Sequence, residues 1–280
     1  MKEIFCFFIY TWYRMIHRLP QVSSIYFHDP SPDMFEMVLK WYRKHHYRII
    51  SLDELRVLLE TKHNPDGKVA FISFDDGCRS NLQLLPICEK FNAPITIFLA
   101  TEPLKSGNYW WEYVTEKCGI RTMLSFKKKP EIDFYTELEK VKQGMNLVRS
   151  AMTVSELVLL AKHPLVTIQP HSVNHPILTN LSDVSLKNEL RDSKRQLEEL
   201  TGEAMDVFSY PNGNVGPREI EELKNAGYKY AFTIQPEQFV LSEVDPFLLP
   251  RMCMNTNGGK YENLTKLLGI WYNIFGLREN

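Results

Sequence analysis

Several features that would class a chain at once are scarce in this sequence. Only five of its 280 residues are cysteine: Cys6, Cys78, Cys88, Cys118 and Cys253. The number is odd and no two share a Cys-x-x-Cys spacing, so neither a disulfide framework nor a thiolate zinc site is expected. Such cysteine usage reads as suited to a reducing compartment. Formal net charge is only −1, which leaves no basic footprint for nucleic acid. The apolar run Ile4 to Tyr13 is too short to span a bilayer. No internal repeat or low-complexity stretch stands out. No histidine follows His175, so any chemistry that needs imidazole must find it earlier in the chain.

What is present is an ordinary globular composition, 44% apolar and 24% charged, at a length that suits one large α/β domain. The first 20 residues form an apolar and aromatic segment followed by Arg14, His17 and Arg18. Early charges at Lys2 and Glu3, with no small-residue cleavage site before Pro20, argue against a signal peptide. Two readings stand for this segment: a helix packed on the domain, or an interfacial helix that touches a membrane. A cytoplasmic location, with peripheral membrane contact as an option, is the expectation.

Beyond residue 20, short apolar runs alternate with helical periodicity. Ser24 to His28 reads as a strand, and Asp33 to His46 as an amphipathic helix with Met34, Met37, Val38 and Trp41 on one face. Ser51 and Asp53 offer caps for a helix through Leu59. Val69 to Phe74 is a buried-type strand, Asn81 to Phe91 a helix with Pro86 early in it, and Ile95 to Leu99 the next strand. Residues 104–150 depart from the pattern and suggest a helical excursion. Regularity returns with a helix over Thr153 to Lys162 and a strand over Leu165 to Ile168. It continues with a long helix over Ser182 to Leu200, a strand over Val207 to Tyr210, a helix over Arg218 to Ala226 and a strand over Tyr230 to Thr233. The main domain is expected over 21–258 and a terminal helix over 259–280. Alternation of this kind implies a parallel sheet, open or closed into a barrel. Chemistry in such folds sits at the C-terminal ends of the strands.

Polar residues fall at those ends. Asp75-Asp76-Gly77 follows one strand, His171 and His175 another, and Tyr210-Pro211-Asn212-Gly213 a third, while His28 ends the first. Two adjacent carboxylates repel, so one of them calls for a cation. Residues alternate sides along a strand, but a turn at Gly77 can aim both carboxylates inward. Histidines four apart can present both rings to one metal, and Pro176 disfavours a helix there, so a single turn is expected. Taken singly, a solvated Asp-Asp-Gly turn and two loop histidines are the blander readings. Tyr109-Trp110-Trp111 can stack on a sugar ring, but as an aromatic cluster it reads first as core.

The combination changes that balance. Ser73-Phe74-Asp75-Asp76-Gly77, His171-Ser172-Val173-Asn174-His175-Pro176 and Phe208-Ser209-Tyr210-Pro211-Asn212-Gly213 resemble, in order and spacing, three motifs of the polysaccharide deacetylase family of carbohydrate esterases. The resemblance covers roughly Ile25 to Met254. It implies an α/β fold, a distorted (β/α) barrel with fewer than eight repeats, and removal of N-acetyl groups from a carbohydrate. It also implies Asp75 as general base and Asp76, His171 and His175 as ligands of a divalent metal, zinc first, with cobalt or nickel as alternatives. Tyr210 and Asn212 would serve the oxyanion and substrate, Asn212 through its backbone N–H.

Two departures from the family pattern bear on mechanism. Its third motif often carries arginine where Ser209 stands and tyrosine where Asn212 stands. Its usual acidic histidine lies near the C-terminus, whereas here Phe27-His28 matches the early-strand position that some members use. Asp75 therefore needs another cation, and Arg251, in Leu249-Pro250-Arg251-Met252, is the candidate, entering from a last strand. Two other functions share the pattern: an amidase or deformylase acting on another N-acyl compound, and a catalytically inactive carbohydrate-binding barrel.

Overall fold

The computed structural model describes residues 2–269, Trp271 and Ile274, apart from His17, Asn64, Pro65, Glu237 and Gln238. It opens with α1 (Lys2–Ile16) and then alternates β1 (Val22–Phe27), α2 (Pro32–Lys44), β2 (Tyr47–Ile50), α3 (Leu52–Thr61), β3 (Lys68–Phe74), α4 (Leu85–Phe91) and β4 (Ile95–Leu99). Between β4 and β5 come α5 (Pro103–Ser106), α6 (Trp110–Cys118), α7 (Ile120–Phe126), α8 (Glu131–Lys142) and α9 (Val154–Leu160). The pattern resumes with β5 (Val166–Pro170), α10 (Asp183–Thr201), β6 (Val207–Ser209), α11 (Pro217–Asn225), β7 (Tyr230–Phe232), β8 (Met252–Cys253) and α12 (Lys260–Leu267).

Local chemistry accounts for most boundaries. Ser51 caps α3 in a reciprocal box with Glu54: the Glu54 N–H donates to Ser51 Oγ at 3.2 Å and the Ser51 N–H to Glu54 Oε2 at 3.0 Å. Ser182 accepts from the Ser185 N–H at the start of α10. The helix expected from Asn81 starts instead at Leu85, with Pro86 in its first turn, where a missing N–H costs nothing. Residues Arg79–Leu84 are a 3-10 helix. Strand β2 escaped the sequence reading because four residues with only Tyr47 and Ile50 buried are too few to show alternation. Of the terminal helix expected over 259–280, Ile270, Tyr272, Asn273 and residues 275–280 lie outside the described residues.

All strand ladders among the described residues are parallel. The order β5-β4-β3-β1-β8 forms one sheet, with β2 sharing an edge of β3, and β6 pairs with β7. The second group joins the first at one side: Phe232 bridges Leu249 in parallel, and the Arg251 N–H donates to the Gln235 carbonyl on the approach to β8. At the other side no ladder joins β5 to β6 among the described residues. Side chains stitch this seam. Val207 N–H donates to Gln169 Oε1 at 2.9 Å, and His171 Nδ1 lies 2.7 Å from the Ser209 carbonyl. The strands thus curl into a distorted barrel.

Period-two alternation sorts the strand residues. Val69 and Phe71 join Phe98, Val207, Phe232 and Leu249 in one apolar cluster inside the barrel. Ala70, Ile72 and Phe74 join Ile95, Ile97 and Leu99 against α2, α4 and α9. Helices α6 to α8 enclose a core of their own, built on Trp110, Phe126, Phe134 and Leu138. Gln169 is 1% exposed, so Gln169→Leu would keep its volume but leave the Val207 N–H buried without an acceptor. A loss of about 1–3 kcal/mol in unfolding free energy is expected from denaturant titration, and an unchanged midpoint would show that the seam holds without it.

Candidate active site

Ser73 and Asp75 continue the inward phase of Val69 and Phe71, which carries Asp75 into the barrel mouth. Asp76 would face outward in the same phase. Its own φ of 73° and the 87° of Gly77 turn the chain there and bring the second carboxylate back inward. Glycine is required at 77, because a Cβ would meet the Leu99 side chain at 2.7 Å.

Asp76 Oδ1 lies 3.6 Å from His171 Nε2 and 3.3 Å from His175 Nε2. Donor atoms of the three residues all fall within 4.8 Å of one another. The two rings meet at 4.7 Å in a loop that is not helical, with φ values of 66° at Ser172 and 55° at His175. Asp76 Oδ1 is buried and makes no hydrogen bond. A buried carboxylate oxygen facing two imidazole nitrogens without a partner is what a cation would satisfy. His171 donates from Nδ1 to the Ser209 carbonyl, which leaves Nε2 as the bare nitrogen a ligand needs. Burial, outweighing the nearby carboxylates, pushes its pKa down to about 4, so the ring is neutral at neutral pH. Three residues fit a divalent cation and leave room for other ligands.

Loop and ligands are held from outside the barrel. Glu189, on α10 and 5% exposed, accepts from the Val173 N–H at 2.8 Å, the Asn174 N–H at 3.0 Å and Asn174 Nδ2 at 2.6 Å. Tyr109 Oη donates to the Asp76 carbonyl at 3.2 Å and Trp110 Nε1 to the His175 carbonyl at 2.9 Å. Trp111 stacks on Tyr109 and packs against the His175 ring at 4.7 Å.

Asp75 does not join the three-residue cluster. Arg251 grips it through two bonds, Nη1 to Oδ1 at 2.8 Å and Nη2 to Oδ2 at 2.9 Å. The other guanidinium hydrogens go to Ser73 Oγ, Ser209 Oγ and the Thr233 carbonyl. Tyr26, Phe98 and Phe232 form an aromatic bed beneath, with ring centroids 4.4, 5.3 and 5.2 Å from the guanidinium carbon. Burial alone raises the Asp75 carboxyl, yet Arg251 and then His171 and His28 bring it below its ordinary value. With His171 neutral at neutral pH, Arg251 is the cation that holds Asp75 ionised there.

These groups open into a cavity of about 700 Å³. His28, Asp75, Asp76, His171, His175 and Asn212 all line it, as do Trp111 and Lys127. His28 is exposed at its mouth, its ring 5.5 Å from Tyr26. Asn212 adopts φ 56° and accepts from Lys127 Nζ at 2.7 Å. Arg251 lies below the floor and meets the site through Asp75 and Ser209. Tyr210 does not line the cavity: two residues from Phe208, it shares that residue's outward face and is fully buried against it. Its side chain is therefore not placed to touch a substrate.

Sequence reasoning saw in Ser209 only a missing charge, whereas it joins Arg251, Asp75 and His171 through one hydroxyl and one carbonyl. It passed over Glu189, whose signal was an acid among the inward positions Leu186, Leu190 and Leu197.

The family model described as polysaccharide deacetylase matches residues 62–231, more than half of the chain. A Bacillus subtilis protein named as a polysaccharide deacetylase, YxkH, is 21% identical over 203 residues, which cover 72% of this chain and 57% of that protein. A Staphylococcus aureus poly-β-1,6-N-acetyl-D-glucosamine N-deacetylase is 23% identical over 237 residues, covering 84% of this chain and 70% of that protein. This chain thus spans little more than half the length of the first relative. Among solved structures, the Streptococcus pyogenes deacetylase PplD in complex with acetate aligns with a TM-score of 0.63 at 19% identity, covering 90% of this chain and 98% of that one. IcaB from Ammonifex degensii aligns with a TM-score of 0.65 at 16% identity, covering 90% and 97%. The barrel is shared with both, and the chain belongs to the polysaccharide deacetylase family.

Proposed function

We propose that this chain hydrolyses the N-acetyl amide of a saccharide with a divalent cation, zinc first and cobalt or nickel as alternatives, held by Asp76, His171 and His175. One observation carries the reading: three ligand atoms converge within 4.8 Å while a second carboxylate, Asp75, stands beside them on a separate arginine. The name of the Staphylococcus aureus relative supports an N-acetylglucosamine polymer as the substrate class. A bound cation of this kind polarises an amide carbonyl and lowers the pKa of a water.

The side chains do the rest. Asp75 accepts the proton of the attacking water, for which it must be ionised and aimed, and the Arg251 fork secures both. Ser209 keeps His171 in one tautomer and Asp75 at one angle. The Asn212 backbone N–H serves the developing oxyanion. Trp111 offers a flat face at the cavity wall, suited to a pyranose ring. His28, at the mouth, gives its proton to the departing sugar amine.

Chelator-treated protein should lose acetate release from N-acetylated saccharides and recover it with zinc or cobalt. Asp75→Asn should then abolish turnover with metal content intact, whereas Asp76→Asn or His175→Ala should lower metal affinity. Elemental analysis beside an acetate assay reads both, and full turnover in excess chelator would overturn the proposal.

The acid role of His28 has its own test. His28→Ala should lower kcat by on the order of a hundredfold, with metal content unchanged. A near-normal kcat would assign the leaving-group proton elsewhere.

A further inference from the structure

Helix α1 is apolar on two faces, one turned to the domain and one to solvent. The inner face is engaged by the barrel's helices. Cys6 is fully buried, Tyr10 Oη accepts from Trp41 Nε1 at 2.7 Å, and Phe7 meets the Tyr261 ring at 4.9 Å. The outer face carries Ile4, Phe8, Trp12 and Met15, exposed by 64, 63, 62 and 80%. Their spacing of four, four and three residues puts all four on one stripe. Thr11, on the same side, turns its hydroxyl back to the Phe7 carbonyl at 2.8 Å. Four large apolar side chains held open to water on one ridge are costly unless something covers them.

Charge at the edges of this ridge has one sign. The carboxylates near α1 are turned inward: Glu3 accepts from the Tyr261 and Glu262 N–H groups at the start of α12, and Glu262 is buried against Lys2. At the C-terminal end Arg14 contacts His45, around which Lys44 and Lys68 also gather, and Arg18 follows, exposed. Among the described residues none of Arg14, Arg18, Lys44 and Lys68 forms an ion pair.

We propose that α1 is a docking surface for an anionic lipid bilayer, lying in the plane of the interface with Ile4, Phe8, Trp12 and Met15 inserted and the basic end against the headgroups. Aromatic side chains on an apolar ridge, flanked by cations, suit the boundary between acyl chains and anionic headgroups. The helix of 15 residues is about 22 Å long, and no helix among the described residues is long and apolar enough to cross a membrane. Pairing of two copies through one convex ridge would cover well under the roughly 1,200 Å² at which stable interfaces begin. A bilayer moulds to a ridge of any length.

Vesicle sedimentation of the full chain tests this without reference to catalysis. Wild-type protein should pellet with phosphatidylcholine vesicles that contain phosphatidylglycerol, remain largely in the supernatant with pure phosphatidylcholine, and be released by high salt. Trp12 fluorescence should shift to the blue on binding. Phe8→Glu with Trp12→Glu changes only exposed positions and should cut the bound fraction by about tenfold or more, while the circular dichroism and melting temperature stay as in the wild type. Absence of wild-type binding to either vesicle would overturn the proposal. A concentration-dependent dimer that the double variant dissolves would overturn it equally, by assigning the ridge to a second copy.

Discussion

Arg251 carries a full positive charge at 0% exposure in the middle of the barrel. Burying a charge costs several kcal/mol unless it is paired and every donor is satisfied. Both conditions are met here. The five N–H bonds of the guanidinium reach Asp75 twice, then Ser73, Ser209 and Thr233. These partners come from β3, the end of β6 and the end of β7, so the ion pair ties together strand ends that the backbone ladders join incompletely. Its aromatic bed fills the barrel below it. The same interaction leaves Asp75 ionised and keeps it out of the Asp76, His171 and His175 cluster. Two neighbouring carboxylates thereby acquire different surroundings, one facing arginine and one facing imidazoles.

Where the sequence was readable, local chemistry and geometry agreed. Asp75, Asp76, His171 and His175 stand in short motifs whose order matches strand ends, and the barrel delivers all four to one cavity. Arg251 was also legible, because a carboxylate base needs a cation and Ser209 supplies none. The reasons behind other placements lay in three dimensions. The inward return of Asp76 depends on a left-handed φ at a non-glycine residue, which strand periodicity does not signal. Tyr210 sits in a motif but follows the outward phase of Phe208. The β5–β6 seam depends on Gln169, and the histidine loop on Glu189, both polar side chains whose partners are distant in sequence. Strand β2 was too short to carry a period.

The excursion of α5 to α8 has a structural part in the site and not merely a covering one. Tyr109 and Trp110 donate to the carbonyls of two cluster residues, while Trp111 forms cavity wall. All three residues of the aromatic triplet line the cavity, two of them buried and Trp111 half-buried. Because those bonds go to backbone atoms, the excursion can hold Asp76 and His175 in strained conformations whatever group occupies the cluster.

The account rests on Arg251 keeping Asp75 ionised, and the pH profile of kcat/KM tests that most directly. If Asp75 is the base, its protonation sets the acidic limb. Removing the neighbouring cation raises its pKa, so with Arg251→Met the limb should move to higher pH while metal content stays at the wild-type level. An unchanged limb and an unchanged rate in a folded, metal-loaded Arg251→Met protein would contradict the account.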